Sequence, residues 1–328
     1  MSTIFERIEI IKLMKNLIKL HDNLINFKQL EDKSFAEEYL CDNEDVIIWC
    51  INRKCNFNCK YCHFASNQQE ARFDVETIKN SFNRDNKKWH IVVTGGEPLL
   101  KNDIIDIFEA LSEKHTLFVN TNLSLSENKL RELVDRVNTQ KLGMNIAVHV
   151  EEREKTDIGF TDFLKKVEIL KSAGVLFFVS YVFYPPLIHR VDEDFAFFKS
   201  HGIDKLTLKP FFGLYNDMMY PKAYSETERG YLNKYYLPEY DLGDNAPATT
   251  FKGNVCFAGQ RTFYINEQGI ARRCENSTET YGNFFDISFL PDKKPKTCNE
   301  KASVCPYQCL IYAKKKKQGL LSKIFYKS

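Results

Sequence analysis

Residues 55–64 read CNFNCKYCHF, which places three thiols at Cys55, Cys59 and Cys62. The spacing is C-x3-C-x2-C, and its arithmetic decides what the loop can hold. A [4Fe–4S] cube has four irons, so three cysteine ligands leave one iron open to a small molecule. A cluster that only carries electrons closes all four corners with cysteine, so an open corner implies chemistry at the cluster. The competing reading is half of a zinc site. Zinc ribbons favour paired C-x2-C elements that complete a tetrahedron, and the only nearby fourth ligand here is His63, directly after Cys62.

Outward from this loop, apolar runs alternate with amphipathic ones. The apolar runs are VIIWCIN (46–52), HIVVTGG (90–96), TLFVNTN (116–122), MNIAVHV (144–150), VLFFVSYVF (175–183) and LTLKPFF (206–212). Between them lie DIIDIFEALSEK (103–114), KLRELVDRV (129–137) and FTDFLKKVEILKSAG (160–174), the last closed by Gly174 as a helix end. Strand–helix alternation predicts an α/β fold with a parallel sheet and right-handed crossovers. Six such units make a partial (β/α)6 TIM-like barrel, whose chemistry belongs at the C-terminal ends of the strands. The cysteine loop follows the first strand, at such an end. VTGGEPLL ends the second, where Gly95 and Gly96 permit a tight turn and close backbone approach, and Pro98 fixes the chain after Glu97.

The cysteine loop, with Tyr61 just before its third cysteine, resembles the signature of radical S-adenosylmethionine (radical SAM) enzymes. Gly95, Gly96, Glu97 and Pro98, one unit later, resemble the same family's glycine-rich element. The resemblance implies that S-adenosylmethionine chelates the open iron and that Tyr61 lies near its adenine. It also implies that Gly95–Pro98 hold the methionine amino group, and that reductive cleavage gives a 5′-deoxyadenosyl radical that abstracts a substrate hydrogen. An electron donor such as a flavodoxin or ferredoxin goes with that chemistry. Asn120, Thr121 and Asn122 end the third strand, where short polar groups suit the ribose or the methionine carboxylate, or simply form a turn. His149 and Glu151 end the fourth, a place that carries ribose contacts in similar enzymes. Tyr181, Tyr184 and Lys209 are expected at the barrel rim, against adenine or substrate. No residue that quenches the substrate radical is legible.

A second cysteine set follows. Cys256 and Cys274 bracket FYIN, a Glu-Gln-Gly turn at 267–269 and IARRC, which predicts a β-hairpin that brings the two thiols close. Cys298, Cys305 and Cys309 come next. Away from a disulfide-forming compartment, such a concentration argues a metal site. The segment resembles the auxiliary-cluster region called SPASM or, when truncated, twitch. It departs from the usual C-x2-C-x5-C-x3-C run, offering C-x6-C-x3-C. One auxiliary [4Fe–4S] cluster needs four ligands: Cys256 and Cys274 with two of the last three, Cys305 and Cys309 being favoured and Cys298 the substitute. Structural zinc is the alternative.

The rest of the chain bounds the setting. Its 328 residues are 43% apolar and 27% charged, an ordinary soluble composition, divided as 1–44, 45–245, 246–313 and 314–328. Charges interrupt the first apolar stretch, so no signal peptide is expected, and ten cysteines then argue metal ligation in a reduced, cytoplasmic setting. Residues 4–27 read as an amphipathic helix. Residues 213–255, rich in Tyr, Pro, Gly and Asn, read as a linker or substrate-facing loop with an acidic cluster at Glu239, Asp241 and Asp244. The formal net charge is +2, with lysines concentrated in the tail, so the body offers no basic face for nucleic acid. The tail, KKKKQGLLSKIFYKS from Lys314, is either a solvated end or a basic anchor making weak contact with a membrane surface through Leu320, Leu321, Ile324 and Phe325. Taken together, these features predict a radical SAM enzyme that oxidises or otherwise modifies a peptide or small metabolite. The rival is a non-enzymatic iron–sulfur or zinc scaffold.

Overall fold

The computed structural model describes residues 45–62, 72–235, 252–253 and 255–300. The expected helix over 4–27, His63, the acidic cluster at 239–244, Cys305, Cys309 and the basic tail lie outside the described residues. Six strands run parallel and neighbour one another in chain order: β1 (Asp45–Asn52), β2 (Trp89–Gly95), β3 (Thr116–Thr121), β4 (Leu142–Ala147), β5 (Leu176–Phe183) and β6 (Leu206–Pro210). The crossovers carry α1 (Val75–Asn83), α2 (Ile104–Ser112), α3 (Glu127–Arg136), α4 (Val150–Arg153), α5 (Gly159–Ser172) and α6 (Val191–Ser200). This is the expected partial barrel. Among the described residues, no helix is long and apolar enough to cross a membrane.

The strands read as unbroken apolar runs because both faces are covered. Ile47, Trp49 and Ile51, Ile91 and Val93, Leu117 and Val119, Met144 and Ile146, Val179, Tyr181 and Phe183 all belong to one buried core shared with the helices. Each helix presents its apolar stripe to that core; α2 does so with Ile104, Ile107, Phe108 and Leu111. Local signals start the helices, as where Asp74 caps α1 by accepting from Thr77 N at 2.7 Å. Helix α5 ends as expected, with Gly174 at φ 70° and Val175 N donating to Leu170 O at 3.0 Å.

Because side chains alternate along a strand, the opposite face carries a different set. Register aligns Cys50 with Thr94, Asn120 with Asn145 and Ser180 with Thr207. This inner face is polar towards the C-terminal ends and aromatic deeper down, where Phe118 and Phe178 stack at 6.0 Å. The sheet is therefore apolar towards the helices and chemically equipped on the other side.

After β6 the structure departs from the expected linker. Residues 213–235 contain a hairpin, β7 (Gly213–Tyr215) and β8 (Met218–Tyr220), followed by α7 (Glu226–Tyr235). Its two-residue turn, Asn216-Asp217, has φ of 49° and 60°, which is the turn chemistry that matches strand twist. Of the rest of the expected linker, residues 236–251 and 254 lie outside the described residues. Further on come β9 (Val255–Cys256), β10 (Thr262–Ile265), β11 (Ile270–Arg272), β12 (Thr280–Asn283) and β13 (Lys296–Thr297). The expected hairpin is β10–β11, and it joins the barrel sheet. Strand β10 lies parallel to β1, from Val46 opposite Thr262 to Trp49 opposite Ile265, so β10, β11 and β12 extend the sheet beyond β1.

Candidate active site

The C-terminal ends of β1 to β4 meet in one hydrogen-bonded knot. The cysteine loop leaves β1 at Asn52 and runs against the start of the glycine turn. Gly96 N donates to Asn52 O at 3.0 Å and Glu97 N to Lys54 O at 2.8 Å, while Asn52 Nδ2 donates to Glu97 O at 2.8 Å. A Cβ on Gly95, whose φ is 151°, would stand 2.3 Å from Asn52 O, and one on Gly96 would stand 2.4 Å from Lys54 O. The glycines are thus demanded by the approach of the cysteine loop itself, and the Gly96 and Glu97 N–H groups are taken by that loop. Gly96→Ala is expected to displace the loop, lowering stability by about 1–3 kcal/mol and iron retention at Cys55, Cys59 and Cys62. Denaturant unfolding and iron analysis of the variant check this.

Glu97 is fully buried, and its carboxylate faces away from the loop. It accepts from Leu99 N at 3.0 Å, from Thr121 Oγ1 at 2.6 Å and from Asn122 N. It thereby pins the end of β2 to the end of β3. Burial pushes its carboxyl up to about 7, against the pull of those donors and of Arg153. Pro98, also buried, opens the short 3-10 turn Pro98–Leu100 that follows. Arg153, at the end of α4, completes the knot. Its Nε donates to Val148 O at 2.6 Å and its Nη2 to Asn122 O, and its guanidinium lies over Phe163 at 4.1 Å and Phe57 at 5.6 Å. Burial brings its pKa down to about 10. The sequence reading missed Arg153, which sits inside a charged run, Glu-Glu-Arg-Glu-Lys, that reads as a solvated face.

The other expected residues divide. Asn122 reaches the cysteine loop, its Nδ2 lying 3.7 Å from Cys55 Sγ and 3.1 Å from Asn56 Oδ1. Asn120 lies on the inner face and accepts from Asn145 Nδ2 at 2.9 Å, while Asn145 Oδ1 is buried without a partner. His149 also turns to the loop, with Nδ1 2.9 Å from Tyr61 Oη and 3.3 Å from Cys59 Sγ. Its backbone is left-handed, φ 46° and ψ 63°, a conformation that costs a residue with a Cβ about 1–3 kcal/mol, and burial brings its imidazole down to about 4. Tyr184 packs on Tyr61 with ring centres 5.1 Å apart. Tyr181 does not reach the rim: it belongs to the helix-facing side of β5, where its hydroxyl donates to Asp194 Oδ2 at 2.6 Å. Lys209, near the end of β6, is buried beside inner-face positions. Glu151 is occupied by an ion pair with Lys60 at 3.2 Å.

The cysteine loop suits a cluster. Cys55 and Cys59 are half-buried and Cys62 is exposed. Cys55 Sγ accepts from Phe57 N at 3.4 Å as well as from Asn122, so donors already aim at a prospective thiolate. Burial raises the thiol pKa of Cys55, and that of Cys59 to about 12, so iron must displace protons to bind. Among the described residues, no three His, Cys, Asp or Glu converge tightly enough for a single ion. A cube asks for a wider spacing, since each thiolate takes its own iron corner.

At the far edge of the sheet, Cys256 is buried with Ala258, and Cys274 and Cys298 pack against them. Cys256 stands opposite Lys296 in the β9–β13 pair, which draws Cys298 in. Cys298, the substitute in the sequence reading, is the third thiol placed there. Arg273 ties the three segments together: Nε donates to Ala258 O at 3.1 Å, Nη1 to Thr297 O at 3.0 Å and Nη2 to Lys296 O at 3.0 Å. Nothing in the sequence marked Arg273, whose three acceptors are all main-chain carbonyls.

Residues 49–198 match the family model described as the radical SAM superfamily, and this part of the chain is a radical SAM domain. Enzymes of that superfamily use a [4Fe–4S] cluster and S-adenosylmethionine. A putative glycyl-radical enzyme activating enzyme of Methanocaldococcus jannaschii is 26% identical over 109 residues, covering 32% of this chain and 41% of that protein. The chain thus spans well under half the length of that curated relative. Among solved structures, SuiB of Streptococcus suis aligns with TM-score 0.54 at 14% identity, over 75% of this chain and 66% of SuiB. The protein anSMEcpe with bound AdoMet aligns with TM-score 0.52 at 17% identity, over 75% of this chain and 78% of its own. SuiB is also known bound to its precursor peptide SuiA, and anSMEcpe with AdoMet and a peptide. At these identities the likeness establishes the fold.

Proposed function

We propose that this chain is a radical SAM enzyme that modifies a peptide or a small metabolite, most simply by net oxidation, with the help of one auxiliary [4Fe–4S] cluster. The observation that carries the reading is the knot itself, in which three cysteines on one loop are held against the glycine turn, Asn122, His149 and Arg153 at the mouth of a parallel barrel. When bound, the cluster and S-adenosylmethionine supply a 5′-deoxyadenosyl radical that takes a hydrogen atom from the substrate.

This chain's residues do the rest. Cys55, Cys59 and Cys62 hold three irons. The Gly95–Pro98 turn, Tyr61 and Tyr184 bound the place for S-adenosylmethionine, and Asn120 and Asn145 line the inner wall below it. Cys256, Cys274 and Cys298 hold the auxiliary cluster, with Cys305 or Cys309 as the fourth ligand. The peptide alternative draws support from SuiB and anSMEcpe, whose structures include peptides. An electron donor such as a flavodoxin or ferredoxin completes the reading.

Anaerobic reconstitution tests the two-cluster arrangement, with about eight irons expected per chain. About four irons together with bound zinc would make the second site structural zinc and overturn that part.

A further inference from the structure

His149 follows β4, and its Nδ1 faces the cysteine loop. Its imidazole is stacked against Tyr61, ring centres 5.9 Å apart and 20° from parallel, and meets Phe57 edge-on at 5.8 Å and 87°. Nδ1 stands 3.3 Å from Cys59 Sγ and 2.9 Å from Tyr61 Oη. The left-handed backbone at His149 turns the ring back onto the loop.

We propose that His149, oriented by Tyr61, sets the reduction potential of the catalytic cluster by donating a hydrogen bond from Nδ1–H to the sulfur of Cys59. The inference rests on Cys59 being an iron ligand. A cluster-bound thiolate is an anion, so it selects the imidazole tautomer that carries the proton on Nδ1. Cys59 is half-buried, so such a donor replaces water the sulfur would otherwise have. Reduction adds negative charge, and an N–H···S bond stabilises the reduced form more than the oxidised one. Hydrogen bonds to cluster sulfurs are among the factors that set such potentials. His149 is then a positioning residue that acts through a ligand, without touching substrate.

The test is a redox titration of the anaerobically reconstituted full chain without S-adenosylmethionine, read by electron paramagnetic resonance alongside iron analysis. The signal followed is the one missing from the Cys55→Ala/Cys59→Ala/Cys62→Ala chain. His149→Gly keeps the left-handed backbone and removes the donor. His149→Asn tolerates the same backbone and puts an amide N–H close to the position of Nδ1. At unchanged iron content, His149→Gly is expected to lower the midpoint potential until about tenfold less cluster is reduced at a fixed solution potential, about 59 mV for one electron. His149→Asn is expected to recover most of that shift.

An unchanged potential in His149→Gly overturns the proposal. If that variant loses its iron, His149→Phe, which keeps a ring between Tyr61 and Phe57 and lacks the donor, carries the test: a lower potential supports the proposal and an unchanged one overturns it. A signal that persists in the triple-alanine chain overturns the assignment of the ligands themselves, and is recognised separately from a failure of His149.

Discussion

Replacing Cys55, Cys59 and Cys62 together by alanine is expected to abolish release of 5′-deoxyadenosine while the C-terminal cysteines keep their iron. The two cysteine sets are carried by different elements. The first leaves β1, while the second hangs on β9, the end of β11 and the end of β13. Arg273 braces the second set through carbonyls of its own segments and makes none of those bonds to the first. Loss of three thiols on the loop after β1 should therefore leave the other site folded. The expected result is about four irons per chain and cleavage of S-adenosylmethionine at background. Iron analysis and chromatography of the reaction products check both halves. Cleavage at the parent rate would place the chemistry elsewhere.

Glu97→Ala should be the most damaging single change in the site after loss of a ligand. It leaves three buried donors, Leu99 N, Thr121 Oγ1 and Asn122 N, without an acceptor. It also removes the carboxylate whose attraction offsets the burial of Arg153. Unpaired buried donors cost about 1–3 kcal/mol each, with losses that are not additive, and breaking a buried charge arrangement costs about 3–5 kcal/mol. A loss near the upper end of that range is expected from denaturant unfolding. The same group gives a pH dependence. Its folded pKa is raised from 4.5 to about 7 by burial, so the folded chain holds a proton that the unfolded chain has released. Stability from this group is therefore present below about 4.5 and declines as pH rises towards 7. That slope should be absent in Glu97→Ala.

What was legible in the sequence was local. Ligand spacing is set within eight residues, so Cys55, Cys59 and Cys62 stand out without a structure. Strand–helix alternation and the Gly174 helix end are equally short-range. The glycine turn was recognisable, but not its reason: the atoms that forbid a Cβ at Gly95 and Gly96 belong to Asn52 and Lys54, far back in the chain. Tyr181 was placed on the wrong face because VLFFVSYVF has a single small polar residue, Ser180, and too little alternation to fix the phase of the strand. The direction of His149 depends on a single left-handed residue, which no propensity announces. Arg153 and Arg273 were invisible because their partners are backbone carbonyls, which carry no residue identity, and most of them belong to other segments. The docking of β10 on β1, a parallel pairing across most of the chain, leaves no mark in either strand.

The central claim is that the loop at Cys55–Cys62 opens one iron to S-adenosylmethionine. Its most direct test is to incubate the anaerobically reconstituted, chemically reduced full chain with S-adenosylmethionine alone and to quantify the products. The account predicts 5′-deoxyadenosine and methionine in equal amounts, dependent on the reductant. Intact S-adenosylmethionine in the presence of a fully assembled, reduced cluster would contradict it.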